Sequence, residues 1–250
     1  MDHHFRNRLR SGDLLVGTMV TINSPEVAEL LAGIGFDWLF IDAEHSPLAM
    51  LDIQRIVQAA GKGCPCIVRL PEASEVPIKQ ALDIGVAGII APLVNSARHA
   101  KDVVRLAKYA PDGSRGVGVA RAHQYGLGFQ EYLDAANENV AVIVQVEHIE
   151  AVANIESIAK VPGVDAIFVG PYDLSASLGK LGQVHDPEVQ QAIQTVTKAS
   201  LQAGIRLGIF GITPESVRPF IDRGYTLIVA GIDTMMLGSS ASQLLADLKS

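Results

Sequence analysis

Eight short apolar segments recur along the chain at intervals that suit alternating strands and helices. Hydrophobicity is nearly continuous within each segment, which is typical of parallel strands covered on both faces. The segments are LLVGTMVT (14–21), DWLFIDA (37–43), CIVRL (66–70), GIIAPLV (88–94), VAVIVQVE (140–147), DAIFVG (165–170), RLGIF (206–210) and YTLIVAG (225–231). Helical patterns lie between them, so the 250 residues predict an α/β fold, and we expect one (β/α)₈ (TIM) barrel domain over residues 1–250.

Four helix starts are marked by a capping residue followed by proline. A serine, threonine or aspartate side chain can accept a hydrogen bond from the first helical turn, and proline suits the first helical position. The pairs are Ser24-Pro25, Ser46-Pro47, Asp186-Pro187 and Thr213-Pro214. The last segment, SSASQLLADLKS, predicts an amphipathic helix packed outside the barrel or onto a neighbouring subunit.

A doubly wound sheet is the competing architecture. Its phosphate-binding fingerprint would follow a strand, whereas the glycine-rich string GSRGVG (113–118) has different spacing and no preceding strand. It belongs to a long interval between the fourth and fifth apolar segments. Segments of that length are often functional or interfacial, so residues 113–128 are candidates for either role.

The charge and the cysteines exclude several classes of protein. A net charge of −7 argues against nucleic-acid binding, which needs a basic face. No apolar run has the length of a membrane span, and the polar N-terminus does not resemble a secretion signal. Cys64 and Cys66 are expected to be reduced thiols. These features predict a cytoplasmic protein.

Two carboxylates follow neighbouring strands, at the barrel end where such folds carry their chemistry. Glu147 and Asp173 come one β-α unit apart, and carboxylates so close repel unless a proton or a cation lies between them. Carboxylate oxygens suit Mg²⁺ or Mn²⁺. Gln145 lies two residues before Glu147 and should point the same way. The alternative is that both acids are ordinary surface residues.

The exit of the sixth strand has a turn that suits ligand binding. Gly170 and Pro171 allow the backbone to approach a ligand and to turn sharply, which would bring Asp173 over the barrel mouth. The segment after Asp173, LSASLG, is expected to form a helix with free amide groups near an anionic substrate.

Arg69 and His45 are the further candidates at this rim. A guanidinium in an apolar strand is costly unless it meets an anion, so Arg69 could bind an enolate oxygen or a substrate carboxylate. The alternative is a structural salt bridge to Glu72 or Glu75. His45 follows the second strand, where an imidazole could act as a general base near neutral pH.

Four segments together resemble the HpcH/HpaI aldolases, a family of metal-dependent pyruvate aldolases. The segments are FDWLFIDAEHSPL, VRLPE, RGVGVARA and VQVEHIEAVANIESIAKVPGVDAIFVGPYDLSASLG. The resemblance runs from about Gly17 to the end of the eighth strand. It implies reversible cleavage of a 4-hydroxy-2-oxo acid into pyruvate and an aldehyde through a metal-stabilised enolate. It also implies a homo-hexamer, a trimer of dimers, with exchanged terminal helices.

The same resemblance implies the ligands of the cation and of the substrate. Glu147 and Asp173 would hold Mg²⁺ or Mn²⁺, with Co²⁺ as a further candidate. Gln145 and the backbone of Gly170, Pro171 and Tyr172 would contact the 2-oxo acid. Tyr172 departs from the small residue that many members have there, so a ring entering the mouth would narrow the choice of aldehyde.

The catalytic roles implied by the resemblance fall on three residues. Arg69 would stabilise the enolate, and His45 would take the proton of the 4-hydroxyl through water. Asp83 would raise the basicity of the histidine. The pattern QALDIG, however, predicts a helix end near the bottom of the barrel for Asp83, which leaves open whether it acts in its own or a neighbouring subunit.

Two other functions stay open on the sequence. A lyase acting on a citramalyl- or malyl-type CoA ester would need a basic groove, for which only Arg115 and Arg121 are evident. A non-catalytic ligand-binding barrel is the second alternative, although it gives no reason for the carboxylates and Arg69 to share one rim.

Overall fold

Eight parallel strands form a closed barrel in the computed structural model, which describes residues 4–249. The strands are β1 Leu15–Val20, β2 Trp38–Asp42, β3 Cys66–Arg69, β4 Gly88–Ala91, β5 Ala141–Val146, β6 Ala166–Val169, β7 Arg206–Gly211 and β8 Leu227–Ile232. Each strand pairs with the next along the chain, and β8 pairs with β1. Every predicted apolar segment overlaps one strand, so the (β/α)₈ barrel is confirmed and the doubly wound alternative is wrong.

The helices surround the barrel, and three of the four predicted starts are confirmed. The helices are α1 His4–Ser11, α2 Pro25–Ile34, α3 Met50–Ala60, α4 Glu75–Ile84, α5 Ala97–Ala107, the 3₁₀ helix Arg121–Gly126, α6 Phe129–Asn139, α7 Ile149–Ala153, α8 Ile155–Ile158, α9 Pro171–Ser177, α10 Pro187–Ala203, α11 Pro214–Ile221 and α12 Asp233–Lys249. Ser24, Asp186 and Thr213 each accept a hydrogen bond from the first turn of α2, α10 and α11.

The start predicted at Ser46-Pro47 is wrong, because α3 begins only at Met50. The Ser46 hydroxyl donates to the backbone carbonyl of Asp42 instead of capping a helix. The segment between β2 and α3 is therefore a loop. This loop carries His45 along the rim of the barrel.

Alternation along the strands decides which side chains face the barrel interior. On β5, Ala141 and Ile143 belong to the interior core, whereas the residues between them pack in the layer shared with the helices. Continuing the alternation makes Gln145 and then Glu147 the next interior positions. In the same way Asp42 follows Phe40 on β2, and Arg69 follows Ile67 on β3. These three interior columns are thus apolar in their lower part and polar at the carboxyl end.

Helix α1 closes the opposite end of the barrel. Phe5 and Leu9 are buried in the interior core, and the Phe5 ring lies 5.9 Å from the Trp38 ring. The Arg6 Nε atom donates to both carboxylate oxygens of Asp165 at 2.9 Å. With this end filled by side chains, the carboxyl ends of the strands form the open end.

The long interval between β4 and β5 folds against the outside of the barrel. It contains α5, a loop, the 3₁₀ helix and α6, and the string GSRGVG lies in the loop. The buried Arg115 guanidinium lies 4.5 Å from the Tyr109 ring centroid and 5.6 Å from that of Tyr132. Its Nη2 atom pairs with Asp83 at 2.7 Å. One buried cation therefore fixes this segment to α4.

Helix α12 has few contacts with the rest of the chain. Its first residue, Asp233, is buried, but the positions from Leu237 to Lys249 are all exposed. Its four leucines are Leu237, Leu244, Leu245 and Leu248, whose spacing places them on one helix face. The predicted terminal helix is confirmed as far as Lys249, and Ser250 lies outside the described residues. Within residues 4–249, no helix is both long and apolar enough to cross a membrane.

Candidate active site

The carboxyl ends of the strands surround a cavity of about 360 Å³. Seven of the predicted site residues line it, namely His45, Arg69, Gln145, Gly170, Pro171, Tyr172 and Asp173. Apolar side chains complete the wall, among them Met19, Phe40, Phe168, Phe210 and Ile232. A mostly apolar cavity with a few convergent polar groups is the usual form of a small-molecule site.

Glu147 adjoins this cavity and is almost completely buried, with 3% of its surface exposed. Its Oε1 atom accepts a hydrogen bond from the Leu93 amide at 2.8 Å, and its Oε2 atom accepts one from the Gln145 side chain. Gly170 packs against it so closely that a Cβ atom there would come within 2.9 Å of Oε2. The carboxylate is therefore held in one orientation from three sides.

The environment of Glu147 favours a positive charge beside it. Burial raises the pKa of Glu147, the hydrogen bonds from Leu93 and Gln145 oppose this shift, and the charge of Asp173 adds to it. The amide oxygen of Gln145 is buried and has no hydrogen-bond partner within residues 4–249. Asp173 lies in the first turn of α9, which begins at Pro171, earlier than predicted. The carboxylates of Glu147 and Asp173 are hard oxygen donors, and the negative charge of Glu147 is buried. Both features fit a divalent cation such as Mg²⁺ or Mn²⁺.

Arg69 is fixed by an acidic partner on the neighbouring strand. Its Nε and Nη2 atoms donate to the two oxygens of Asp42 at 2.9 and 2.7 Å, because β2 and β3 pair with these two residues in register. The alternative expected from the sequence, a structural salt bridge, is therefore present, but its partners are Asp42 and Glu44 and not the exposed Glu72 and Glu75. Within residues 4–249 the Nη1 atom makes no hydrogen bond, and because Arg69 lines the cavity this group has capacity for a ligand.

Asp42 and Glu44 form an acidic pair around Arg69. Burial of Asp42 is outweighed by the hydrogen bonds and charge of Arg69, so the pKa of Asp42 is lowered. Glu44 lies 3.3 Å from Arg69 Nε and 3.7 Å from His45 Nε2. Burial raises the pKa of Glu44 although the charge of Arg69 opposes this. His45 is 62% exposed in its side chain, so its imidazole is open to solvent and substrate.

Asp83 lies apart from the residues that line the cavity. It occupies the last turn of α4, before β4 begins, and its carboxylate pairs with Arg115 at 2.7 Å. This agrees with the position that QALDIG predicts, near the amino ends of the strands. Within one subunit the structure does not bring Asp83 together with His45.

Several residues that shape the site were given no role by the sequence. Asp42 acts on Arg69 through the pairing of neighbouring strands, and Leu93 acts on Glu147 from the loop after β4. Neither motif spacing nor residue type indicates these contacts. Asp233 accepts hydrogen bonds from both the backbone and the hydroxyl of Thr21 and from the Thr234 amide. Thr21 and Thr234 line the cavity, so Asp233 fixes that part of its wall. Only the pairing of β1 with β8 could have indicated this contact.

Known proteins of similar length resemble this chain in sequence, and a solved structure resembles it in fold. The hydroxypyruvate/pyruvate aldolase of Pseudomonas aeruginosa is 38% identical over 251 residues, covering 99% of this chain and 93% of that protein. The 4-hydroxy-2-oxovalerate aldolase of Rhodococcus jostii is 38% identical over 244 residues, covering 97% and 94%. A crystal structure of a HpcH/HpaI aldolase/citrate lyase family protein from Burkholderia cenocepacia superimposes with a TM-score of 0.95 at 37% identity, covering 99% and 100%.

The family assignment extends over most of the chain. The family model described as HpcH/HpaI aldolase/citrate lyase matches residues 16–239. This range includes all the residues that line the cavity and every strand, apart from the first residue of β1. The chain belongs to the HpcH/HpaI aldolase/citrate lyase family.

Proposed function

We propose that this protein is a class II aldolase that cleaves a 4-hydroxy-2-oxo acid reversibly into pyruvate and an aldehyde. The observation that carries the proposal is the buried Glu147, which adjoins a single cavity lined by Asp173, Arg69 and His45. Relatives at 38% identity that are named as aldolases support the same reaction class. Their names differ in substrate, so they support the reaction class and not one particular aldehyde.

Glu147 and Asp173 would hold the divalent cation, which when bound supplies positive charge that draws electrons from the 2-oxo group. Mg²⁺ and Mn²⁺ are the proposed ions, with Co²⁺ as a further candidate, because carboxylate oxygens are hard donors. Gln145 and the backbone of Gly170 to Tyr172 would orient the carboxylate and keto oxygens of the substrate. They line the cavity beside Glu147.

Arg69 would stabilise the negative charge that develops on the keto oxygen when the bond between C3 and C4 breaks. Its Nη1 group has hydrogen-bonding capacity to spare, and Asp42 holds the rest of the guanidinium in place. A fixed donor of this kind needs no reorganisation during the reaction, which makes it effective at stabilising a transition state.

His45 would accept the proton of the 4-hydroxyl group through water as the C3–C4 bond breaks, and the protonated histidine would return a proton through water to C3 of the enolate, giving pyruvate. The exposed imidazole lies at the cavity wall, where an aldehyde leaving group could reach it. Asp83 could assist this histidine only across a subunit boundary, and we retain that role as a proposal. No lysine lines the cavity among the described residues, so a Schiff-base route has no nucleophile there.

The aldehyde would lie against the apolar part of the wall, where Tyr172 is partly exposed. The CoA-ester alternative has less support, because Arg69 is the only arginine or lysine among the described residues of the cavity wall. Arg115 is buried against Asp83, and Arg121 donates to the carbonyl of Ile84. Neither of these arginines could bind the phosphates of CoA at this cavity.

We also propose the homo-hexamer and the exchange of terminal helices expected from the resemblance. The exposed leucine face of α12 supports this, because contiguous apolar surface commonly marks a protein–protein interface. Light scattering on Leu244→Asp and Leu248→Asp variants should then give a smaller particle than the wild type. The buried, unpaired thiols of Cys64 and Cys66 support the proposed cytoplasmic location.

The function is tested by incubating the purified protein with pyruvate, a short aldehyde and Mn²⁺ or Mg²⁺. Formation of the 4-hydroxy-2-oxo acid should require the added ion and should stop after chelation with EDTA. Glu147→Gln and Asp173→Asn should each abolish product formation and weaken Mn²⁺ binding measured by electron paramagnetic resonance.

Glu150→Gln is the matched control, since Glu150 is an exposed acid only three residues beyond Glu147. This variant should bind Mn²⁺ and form product as the wild type does. Full activity of Glu147→Gln in the presence of EDTA would refute the proposed function.

A further inference from the structure

Leu93, in the loop after β4, has a backbone conformation that leucine rarely adopts. Its φ angle is 51°, in the left-handed region, where glycine and asparagine are favoured. A conformation of this kind is strained for a non-glycine residue and persists only where the surroundings enforce it. The Leu93 side chain is 52% exposed, so burial of the side chain does not explain why the backbone adopts this conformation.

The left-handed turn directs two successive amides of the loop towards β5. The Leu93 amide donates to Oε1 of Glu147 at 2.8 Å, and the Val94 amide donates to the backbone carbonyl of Gln145 at 3.3 Å. In an extended strand, successive amides point to opposite sides, so a regular continuation of β4 could make only one of these bonds. The turn therefore supplies one bond to the sheet and one to a functional side chain.

The bond from Leu93 completes the set of contacts that fix Glu147. The second carboxylate oxygen is bound by the Gln145 side chain, and Gly170 closes the remaining side with no room for a Cβ atom. Groups that hold the ligands of a metal in this manner typically change metal affinity or activity by about 10–100-fold when they are removed.

We propose that Leu93 is a positioning residue, whose left-handed backbone holds Glu147 in the orientation that binds the cation. This inference rests on the proposed function. It assigns the role to the Leu93 amide, and it requires of the side chain only that it allow a positive φ angle.

The test compares residues that tolerate the left-handed region with one that does not. Leu93→Gly and Leu93→Asn keep the amide and adopt a positive φ angle readily, whereas the β-branched Leu93→Val strongly disfavours it. We expect the Gly and Asn variants to bind Mn²⁺ within about twofold of the wild type, and the Val variant to bind it about tenfold or more weakly. Mn²⁺ binding is measured without substrate, and kcat and KM are measured separately.

Tyr125→Val is the matched control, because Tyr125 is also exposed and left-handed, with φ 56°, but lies in the 3₁₀ helix, away from the site. It should lower the melting temperature without changing Mn²⁺ affinity.

Mn²⁺ binding by Leu93→Val within twofold of the wild type would overturn the inference. Equal losses in the Gly, Asn and Val variants would also overturn it, because they would assign the effect to the leucine side chain. If the wild type and Glu147→Gln bound Mn²⁺ equally, the proposed function would fail together with this inference. A Glu147-dependent site that is indifferent to Leu93 would overturn the inference alone.

Discussion

Replacing Asp42 with asparagine tests whether this buried acid holds the Arg69 guanidinium in place. Asp42 is 2% exposed, and it binds Arg69 through two hydrogen bonds of 2.9 and 2.7 Å. Asparagine retains one acceptor oxygen, but its NH₂ group would face a nitrogen of Arg69, and two donors cannot bond to each other. The guanidinium would keep only Glu44, at 3.3 Å, as a close counter-charge.

Loss of one partner of a buried ion pair costs about 3–5 kcal/mol. The lower limit applies here, because Glu44 remains and Arg69 borders an open cavity. A loss of about 3 kcal/mol corresponds to a decrease of about 6–12 °C in melting temperature for a chain of this length. With Arg69 no longer fixed, kcat should fall more than KM rises, because the contact argued here acts on the transition state.

Urea denaturation and steady-state kinetics measure these two effects. Asp37→Asn is the control. Asp37 pairs with the partly exposed Arg8 at 2.8 Å near the opposite end of the barrel, and the asparagine oxygen can still accept the hydrogen bond that Asp37 accepts from the Val16 amide. A partly exposed pair contributes at most about 1 kcal/mol. If Asp42→Asn were destabilised no more than Asp37→Asn, or retained its kcat, the argument that Asp42 fixes Arg69 would be refuted.

Three further outcomes are expected. Burial lowers the pKa of His123, so the folded state favours the neutral imidazole and loses stability as the pH falls below about 6.5, where the unfolded chain takes up the proton. Between pH 7.5 and 5.5 the urea midpoint of the wild type should therefore drop more than that of His123→Phe. Gly170→Ala should weaken Mn²⁺ binding, because the added Cβ would lie 2.9 Å from Glu147, whereas Gly118→Ala, with no atom within 4 Å, should leave binding unchanged. Gly33→Ala, on an open face of α2, should raise the free energy of unfolding by about 0.5–1 kcal/mol, as measured by chemical denaturation.

The strands and most helix starts could be predicted because their signals are local. Continuous apolar segments identify buried parallel strands wherever they occur, and a cap such as Ser24 bonds to the helix that directly follows it. Ser46 shows the limit of that argument, because its hydroxyl bonds backwards to the carbonyl of Asp42. A capping residue type does not indicate which of two nearby backbone groups it will bind.

The site was predictable as far as it depends on strand ends. His45, Arg69 and Asp173 each follow or end a strand, and the barrel brings those ends together around one cavity. The partner of Arg69 was not predictable, because the pairing of β2 with β3 selects Asp42, which is 27 residues away. The same is true of the bond from Leu93 to Glu147, which depends on a backbone angle that residue type alone would disfavour.

The interior column of β5 also limits how this enzyme can change in evolution. Ala141, Ile143, Gln145 and Glu147 share one face of the strand, and the valines between them face the helices. If a single residue within the strand were deleted, every side chain after the deletion would change to the other face. Val146 would then point into the site, and Glu147 would enter the apolar layer between the barrel and the helices. New specificities should therefore arise by substitution at the rim or by loop growth, while the length of β5 stays constant.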